Sequence, residues 1–280
     1  MPDAFSYCAE VVRNADRDRF IGSLFAPPQH RNALYALYAF NTEIACVRDL
    51  AREVMPGEIR LQWWREVLQG ERGGEARASP VAAAVLDTAE KYRLPIDEML
   101  DLIEARRFDL YSEPMLTIAQ LENYAVKTSS AVIKMAAQIL GTDVSAAARP
   151  AGVASAITGF LAALPNHTAR GQLFLPLQLL ERHGLTPEDV LARVRSASLN
   201  AAVAELCNRA RDQLDAAVAM LDALPREALP AFLYLAPMRQ WLDRGKRVKF
   251  PSGVVAGSRV TLGAWVGSGG RRKRSGGLLG

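Results

Sequence analysis

The segment from Ala151 to Leu164 contains no charged residue, and its small residues alternate with Val, Ile, Phe and Leu. A helix of this composition can be buried on every side, so the rest of the chain must pack around it. The segment is too short to span a bilayer as a helix, which takes about 20 apolar residues. The sequence therefore predicts a packed domain with a small-residue helix at its centre.

Hydrophobic residues recur with helical spacing along most of the chain, broken at Pro and Gly, and no sustained two-residue alternation marks strands. The pattern predicts an all-α fold. Predicted helices cover residues 4–20, 30–54, 58–69, 80–92, 95–109, 117–140, 145–164, 173–183, 187–192, 197–223 and 226–245. The polar, Gly-rich stretch between 71 and 79 is predicted to be a link.

Charge divides the chain into two parts. No acidic residue follows Asp243, whereas nine basic residues do, so the net charge of +4 leaves about −5 on residues 1–243. We predict a helical domain over residues 1–245 and a basic, Gly-rich, disordered tail over 246–280. Because the basic residues of the domain are dispersed among acids, we expect no nucleic-acid partner.

The cysteines and the N-terminal segment indicate the cellular compartment. Cys8, Cys46 and Cys207 are far apart in sequence and form no CxxC, so we expect neither a disulfide framework nor a zinc site. Acidic residues interrupt the N-terminal segment where a signal peptide needs an apolar core. These features predict a cytoplasmic protein, with peripheral attachment to the inner membrane left open.

Five landmarks occur in order along the chain: FIGSLFAPPQHRNALYALYAF, LQWWREVL, DLIEARRFDL, LENYAV and GQLFLP. Together they resemble the squalene/phytoene synthase family of head-to-head prenyl synthases, over roughly residues 15 to 240. The resemblance implies a single-domain, isoprenoid-synthase-like helical bundle with a central cavity.

In that family, two Asp-x-x-x-Asp motifs on facing helices hold the magnesium ions that grip the substrate diphosphates. The matching positions here are Ala45 and Asp49 in the first motif, and Ala163 and His167 in the second. Magnesium requires oxygen ligands, and imidazole is a poor substitute. Glu43 lies two residues before Ala45 and so points away from the face of Asp49. We therefore predict no metal site, no cofactor and no catalytic residue.

The stretch LPNHTARGQLFLPLQLLERHGLTPEDVL is most similar to a branch of the family with eroded acidic motifs, which includes the mitochondrial complex I assembly factor. The resemblance implies a non-catalytic assembly or interaction factor, with respiratory-complex subunits or other proteins as partners. Binding of an isoprenoid lipid without turnover is a second hypothesis. A third is a prenyl transferase that condenses two prenyl diphosphates, which would need magnesium.

Four residues are candidates for ligand binding: Tyr38, Asp49, Tyr124 and Arg170. Both tyrosines match cavity-lining positions of the family, and a guanidinium such as that of Arg170 suits anionic ligands. Each also has a structural alternative. The tyrosines can be core residues and Arg170 a solvated loop residue. Asp49 can form an ion pair with Arg48, Arg52 or Arg31, and His167 can cap a helix end.

Overall fold

The computed structural model describes residues 3–51, 53–193 and 196–244. They form α-helices and short 3₁₀ or π segments, and no strand occurs within these ranges. The all-α prediction is confirmed. The prediction for the tail at 246–280 lies outside the described residues.

The α-helices are α1 Ala4–Ala15, α2 Arg17–Leu24, α3 Pro28–Ala45, α4 Val47–Leu50, α5 Val54–Leu68, α6 Gly73–Ala78, α7 Pro80–Tyr92, α8 Ile96–Arg107, α9 Ile118–Ala125, α10 Ala131–Ile139, α11 Ser145–Ala169, α12 Leu177–Arg182, α13 Pro187–Leu191, α14 Ala197–Leu221 and α15 Ala236–Arg244.

Local sequence signals account for several helix ends. The side chain of Thr117 accepts a hydrogen bond from the backbone N–H of Gln120 and caps α9. Gly141 and Gly184 adopt φ values of +78° and +65° after α10 and α12, a conformation that other residues enter at a cost. Pro80 occupies the first turn of α7, where its missing N–H is harmless.

The structure differs from the predicted helices in several places. The first predicted helix breaks at Asp16, whose side chain caps α2 by accepting from the backbone N–H of Arg19. The stretch predicted as a link contains α6, where Glu75 accepts from Trp63 and Arg72. The predicted helix 226–245 begins instead with 3₁₀ turns at Arg226–Ala231 and Leu233–Leu235.

Helix α11 is the centre of the bundle, as its composition predicts. One side packs along α14 and another against α9, α10 and the π-helical turn Val126–Ser130 between them. It extends to Ala169, five residues beyond the predicted end at 164. By length and composition it is the one helix in the described ranges that could cross a membrane, but 67% of its apolar window is buried inside the protein, as in a core helix.

The contact between α11 and the π-helical turn is unusually close. A Cβ atom added to Gly152 would lie 2.1 Å from Oγ and 2.4 Å from the backbone nitrogen of Ser130. Only glycine therefore allows the two backbones to approach this far. This contact sets the position of α11 relative to α9 and α10.

A second layer of helices completes the core. Helix α3 packs against α1, α7 and α10. The fully buried Trp64 of α5 contacts the ring of Phe40 edge to face at a centroid distance of 5.1 Å. Its neighbour Trp63 is half-buried, as expected for adjacent residues that cannot share one helix face.

Candidate functional site

The ends of α4 and α11 meet at one end of the bundle. Arg170, which directly follows α11, forms an ion pair with Asp49 of α4, and both side chains are partly exposed. The contact joins residues 121 positions apart in the sequence. It joins α4, which carries the second position of the first family motif, to the end of α11, which carries both positions of the second motif.

The ion pair differs from the partners considered in the sequence. Of these, Arg31 donates through Nε to the carbonyl of Ala26, and Arg52 lies outside the described residues. Arg48 donates through Nη1 to the carbonyl of Ala51. Arg170 is exposed and follows the helix, in agreement with the alternative of a solvated loop residue, and its guanidinium is in addition paired with Asp49. Its contact with a ligand stays a prediction.

A buried polar cluster lies beside this ion pair. The Tyr124 hydroxyl donates to the Asp109 carboxylate at 2.8 Å and accepts from Nη1 of Arg106 at 2.8 Å. Arg106 also contacts Asp109 at 3.2 Å, and Gln172 donates to the Asp109 backbone carbonyl at 2.7 Å. Tyr124 was a sequence candidate, whereas Arg106 and Asp109 were not singled out. The landmark DLIEARRFDL that contains both was the available signal.

Burial dominates the electrostatics of this cluster. It raises the pKa of Asp109, against the opposing effect of the Arg106 guanidinium. Burial also raises the pKa of Tyr124 well above its ordinary value, so that the phenol stays protonated. Asp109 is therefore held between a cation and a hydroxyl donor.

Aromatic rings separate the polar cluster from α11. Phe160 of α11 stacks on Phe174 with a centroid distance of 4.4 Å and an interplanar angle of 8°. Tyr124 lies 5.6 Å from Phe160. His167 lies 4.6 Å from Phe174, so it is packed among rings inside the last turns of α11. His167 thus lies at the end of a helix, as the sequence predicts, and its ring is partly buried among aromatic side chains.

The surroundings of His167 keep its imidazole neutral. Burial, together with the positive charge of Arg170, lowers its pKa from an ordinary 6.5 to about 4. Its Nδ1 atom is buried and has no hydrogen-bond partner among the residues that the structure describes. At neutral pH the ring therefore carries one N–H and no charge.

Tyr38 lies apart from this site. It is buried with 2% exposure, and the guanidinium of Arg19 lies 5.5 Å from its ring centroid. Arg19 also contacts the ring of Tyr234 at 4.2 Å and the carboxylate of Asp16 at 2.6 Å. The surroundings of Tyr38 match the structural alternative of a core tyrosine, and its ligand contact stays a prediction.

The donor set does not fit the magnesium ions that the family uses. Where the motifs would place four carboxylates, the chain has Ala45, Asp49, Ala163 and His167. Glu43 is engaged by Arg60 at 2.6 Å. Within the described ranges no group of three or more His, Cys, Asp or Glu side chains could hold a metal ion. Of the four motif positions, only Asp49 would offer a divalent cation a carboxylate, and that carboxylate is already paired with Arg170.

One side of α11 remains only partly covered, and we call it the α11 face. It consists of Ser155, Ala156, Gly159, Phe160 and Ala163, which are half-buried and share one side of the helix. A Cβ atom added to Gly159 would meet no atom of the described residues within 4 Å, so these residues leave open space beside the helix. Two open pockets, of about 250 and 360 Å³, lie elsewhere and are lined by polar and charged residues such as Arg107 and Lys134.

Comparisons with known proteins agree with this architecture. A family model described as squalene/phytoene synthase matches residues 12–266. NADH dehydrogenase (ubiquinone) complex I, assembly factor 6, from Rattus norvegicus is 32% identical over 89% of this chain and 76% of its own length. A 15-cis-phytoene synthase from Synechocystis is 26% identical over 81% of this chain and 71% of its own. The crystal structure of a dehydrosqualene synthase superposes with a TM-score of 0.74 at 18% identity, over 87% of each chain. This likeness confirms the predicted isoprenoid-synthase-like bundle.

Proposed function

The chain belongs to the squalene/phytoene synthase family, and from that premise we propose that it is a non-catalytic member which serves as an assembly or interaction factor for a respiratory complex. Subunits of that complex are its proposed partners. It would act in the cytoplasm or at the periphery of the inner membrane.

The composition of the α4–α11 junction carries the proposal. Ionisation of a prenyl diphosphate needs metal ions that neutralise the leaving group, and one neutral side chain cannot replace them. Of the four motif positions only Asp49 is acidic, and its carboxylate is neutralised by Arg170. The bundle is retained while the groups that would drive the family's chemistry are missing.

The identities to known proteins indicate which of the two roles is the better supported. The rat relative, named as a complex I assembly factor, aligns with 89% of this chain, so the likeness extends over the described helices. The phytoene synthase relative is less similar, at 26% identity. Similarity therefore favours an assembly role over prenyl transfer, which stays the alternative.

Gene deletion and complementation test the assembly role. Deletion in the source organism should lower the amount of assembled respiratory complex and its NADH oxidation in membranes, and the wild-type chain should restore both. The Asp49→Asn variant should restore them as well, because no step of the proposed function uses a metal ligand. An unchanged complex in the deletion strain would contradict the proposal.

A matched enzymatic assay addresses the alternative. The purified chain should release no pyrophosphate from farnesyl or geranylgeranyl diphosphate, with or without magnesium, beside an active phytoene synthase as positive control. Turnover that requires magnesium would establish the transferase and overturn the proposal.

Lipid binding without turnover is a second candidate function, favoured by the open space at Gly159. The α11 face is lined by small residues and bounded by the stacked rings of Phe160 and Phe174, a surface that suits an apolar chain. Organic extraction of the purified protein followed by mass spectrometry should yield an isoprenoid near one equivalent. An empty extract at that sensitivity would count against this function.

A further inference from the structure

The end of the α11 face near His167 is close to electrically neutral. Among the residues that the structure describes there, each carboxylate has a cationic partner: Asp49 with Arg170, Asp109 with Arg106, and Glu43 with Arg60. Arg48 can add at most one positive charge. A prenyl diphosphate carries several negative charges, and burying them without compensating cations is unfavourable by several kcal/mol or more.

The same end presents a neutral hydrogen-bond donor. Nδ1 of His167 is buried without a partner, while the residue as a whole is only partly buried. We assign the ring proton to Nε2, because an unpaired buried N–H is rarer and more costly than an unpaired lone pair. Nε2 is not among the buried atoms that lack a partner, so the imidazole offers its N–H at the partly exposed end of α11.

An apolar path leads to this donor. Gly159, Ala163 and His167 are spaced four residues apart, so they follow one another along one side of α11. Phe160 and Phe174 form a stacked wall beside them. An isoprenoid chain over Gly159 and Ala163 would bring its head group to His167.

We propose that the α11 face binds a prenyl lipid with an uncharged head group that accepts a hydrogen bond, an alcohol or a quinone carbonyl, and that no metal ion takes part. The inference rests on the proposed non-catalytic function and names the ligand class of the same site. The tail contacts the small residues of α11, and the head oxygen accepts from Nε2 of His167.

Equilibrium dialysis of the purified chain tests this inference with four probes: farnesol, a ubiquinone with two isoprene units, farnesyl diphosphate and farnesene, which has no head group. Farnesol or the ubiquinone should bind at least about tenfold more tightly than the diphosphate and than farnesene, a difference of about 1.4 kcal/mol. Magnesium should leave the affinity for the diphosphate unchanged. Tighter binding of farnesol would identify the head group as an alcohol, and tighter binding of the ubiquinone would identify it as a quinone.

Variants locate the contact. His167→Phe keeps an aromatic ring but removes the N–H. The affinities of this variant for farnesol and for the ubiquinone should therefore fall to the affinity for farnesene. The matched control is His183→Phe, since His183 contacts Glu205 of α14 and is not one of the residues of the α11 face, so its replacement should not affect binding. Unchanged thermal unfolding of His167→Phe at pH 7.5 would show that the variant is folded.

The outcomes separate this inference from the proposed function. Tighter binding of the diphosphate, or binding enhanced by magnesium, overturns the inference. If none of the probes binds while the chain still restores complex assembly, the inference fails and the proposed function stands. If the chain restores no assembly but shows the predicted probe preference, the ligand inference stands and the assembly role fails.

Discussion

Two glycines of α11 allow a matched test of how the helix is positioned. In Gly152→Ala the new Cβ would lie 2.1 Å from Oγ, 2.4 Å from N and 2.6 Å from Cα of Ser130. Favourable contact distances for heavy atoms are about 3.5–4.0 Å. The hydroxyl can rotate away, but N and Cα belong to the backbone, so the helix and the π-helical turn must separate by about 1 Å.

The expected cost follows from two opposing terms. Overpacking of this kind destabilises by about 1–3 kcal/mol or more, and replacing a helical glycine by alanine returns at most about 1 kcal/mol. We expect a net loss of about 1–2 kcal/mol. For a domain of this size, that corresponds to a fall of roughly 2–8 °C in Tm.

The control is Gly159→Ala on the same helix. No atom of the described part of the chain lies within 4 Å of the added Cβ, so only the gain in helix propensity remains. We expect a stabilisation of about 0.5–1 kcal/mol. Urea denaturation followed by circular dichroism measures both variants. Equal effects of the two substitutions, or a stabilised Gly152→Ala, would refute the close approach at Ser130.

Three further predictions concern the core and the site. Burial and Arg170 lower the pKa of His167 in the folded state to about 4, from an ordinary value of 6.5. The free energy of unfolding is therefore at its full value above about pH 6.5 and falls as the pH is lowered towards 4. Over that window the wild type should lose about 3 kcal/mol relative to His167→Phe in urea titrations, and parallel curves would contradict the assignment. Trp64→Ala should cost about 3–5 kcal/mol in the same assay, whereas the half-buried Trp63→Ala should cost less. Asp109→Ala leaves the buried guanidinium of Arg106 unpaired and should lower the free energy of unfolding by about 3–5 kcal/mol. Asp49→Asn, which removes the charge from a more exposed ion pair, should lower it by less.

The sequence predicted those parts of the structure that depend on local pattern. The uncharged small-residue composition of α11 identified the central helix, and residue types that favour helix ends stand at Thr117, Gly141 and Gly184, where the structure has such ends. The end of α11 was misplaced because Pro165 looks like a terminator. In the structure Thr168 donates through Oγ1 to the carbonyls of Leu164 and Pro165, and the helix continues.

The contacts that define the site could not be predicted in the same way. The ion pair of Asp49 joins two segments 121 residues apart, and three arginines nearer in sequence were equally reasonable partners. The cluster around Asp109 depends on how α8, α9 and the segment at Gln172 pack together. Single-sequence periodicity reports which face of a helix is apolar, but not which face of another helix it meets.

The Asp49–Arg170 pair offers a physical account of how these helix ends meet with a single carboxylate at the four motif positions. Four carboxylates facing one another across two helix ends repel unless cations lie between them, so an enzyme of this family needs its metal ions to neutralise that charge. Here Ala45 and Ala163 contribute no charge, and burial keeps His167 neutral. The one remaining carboxylate contacts a guanidinium on the opposite helix end. The junction is therefore neutral by itself, and restoring single acids at Ala45 or Ala163 should weaken it rather than recover a metal site.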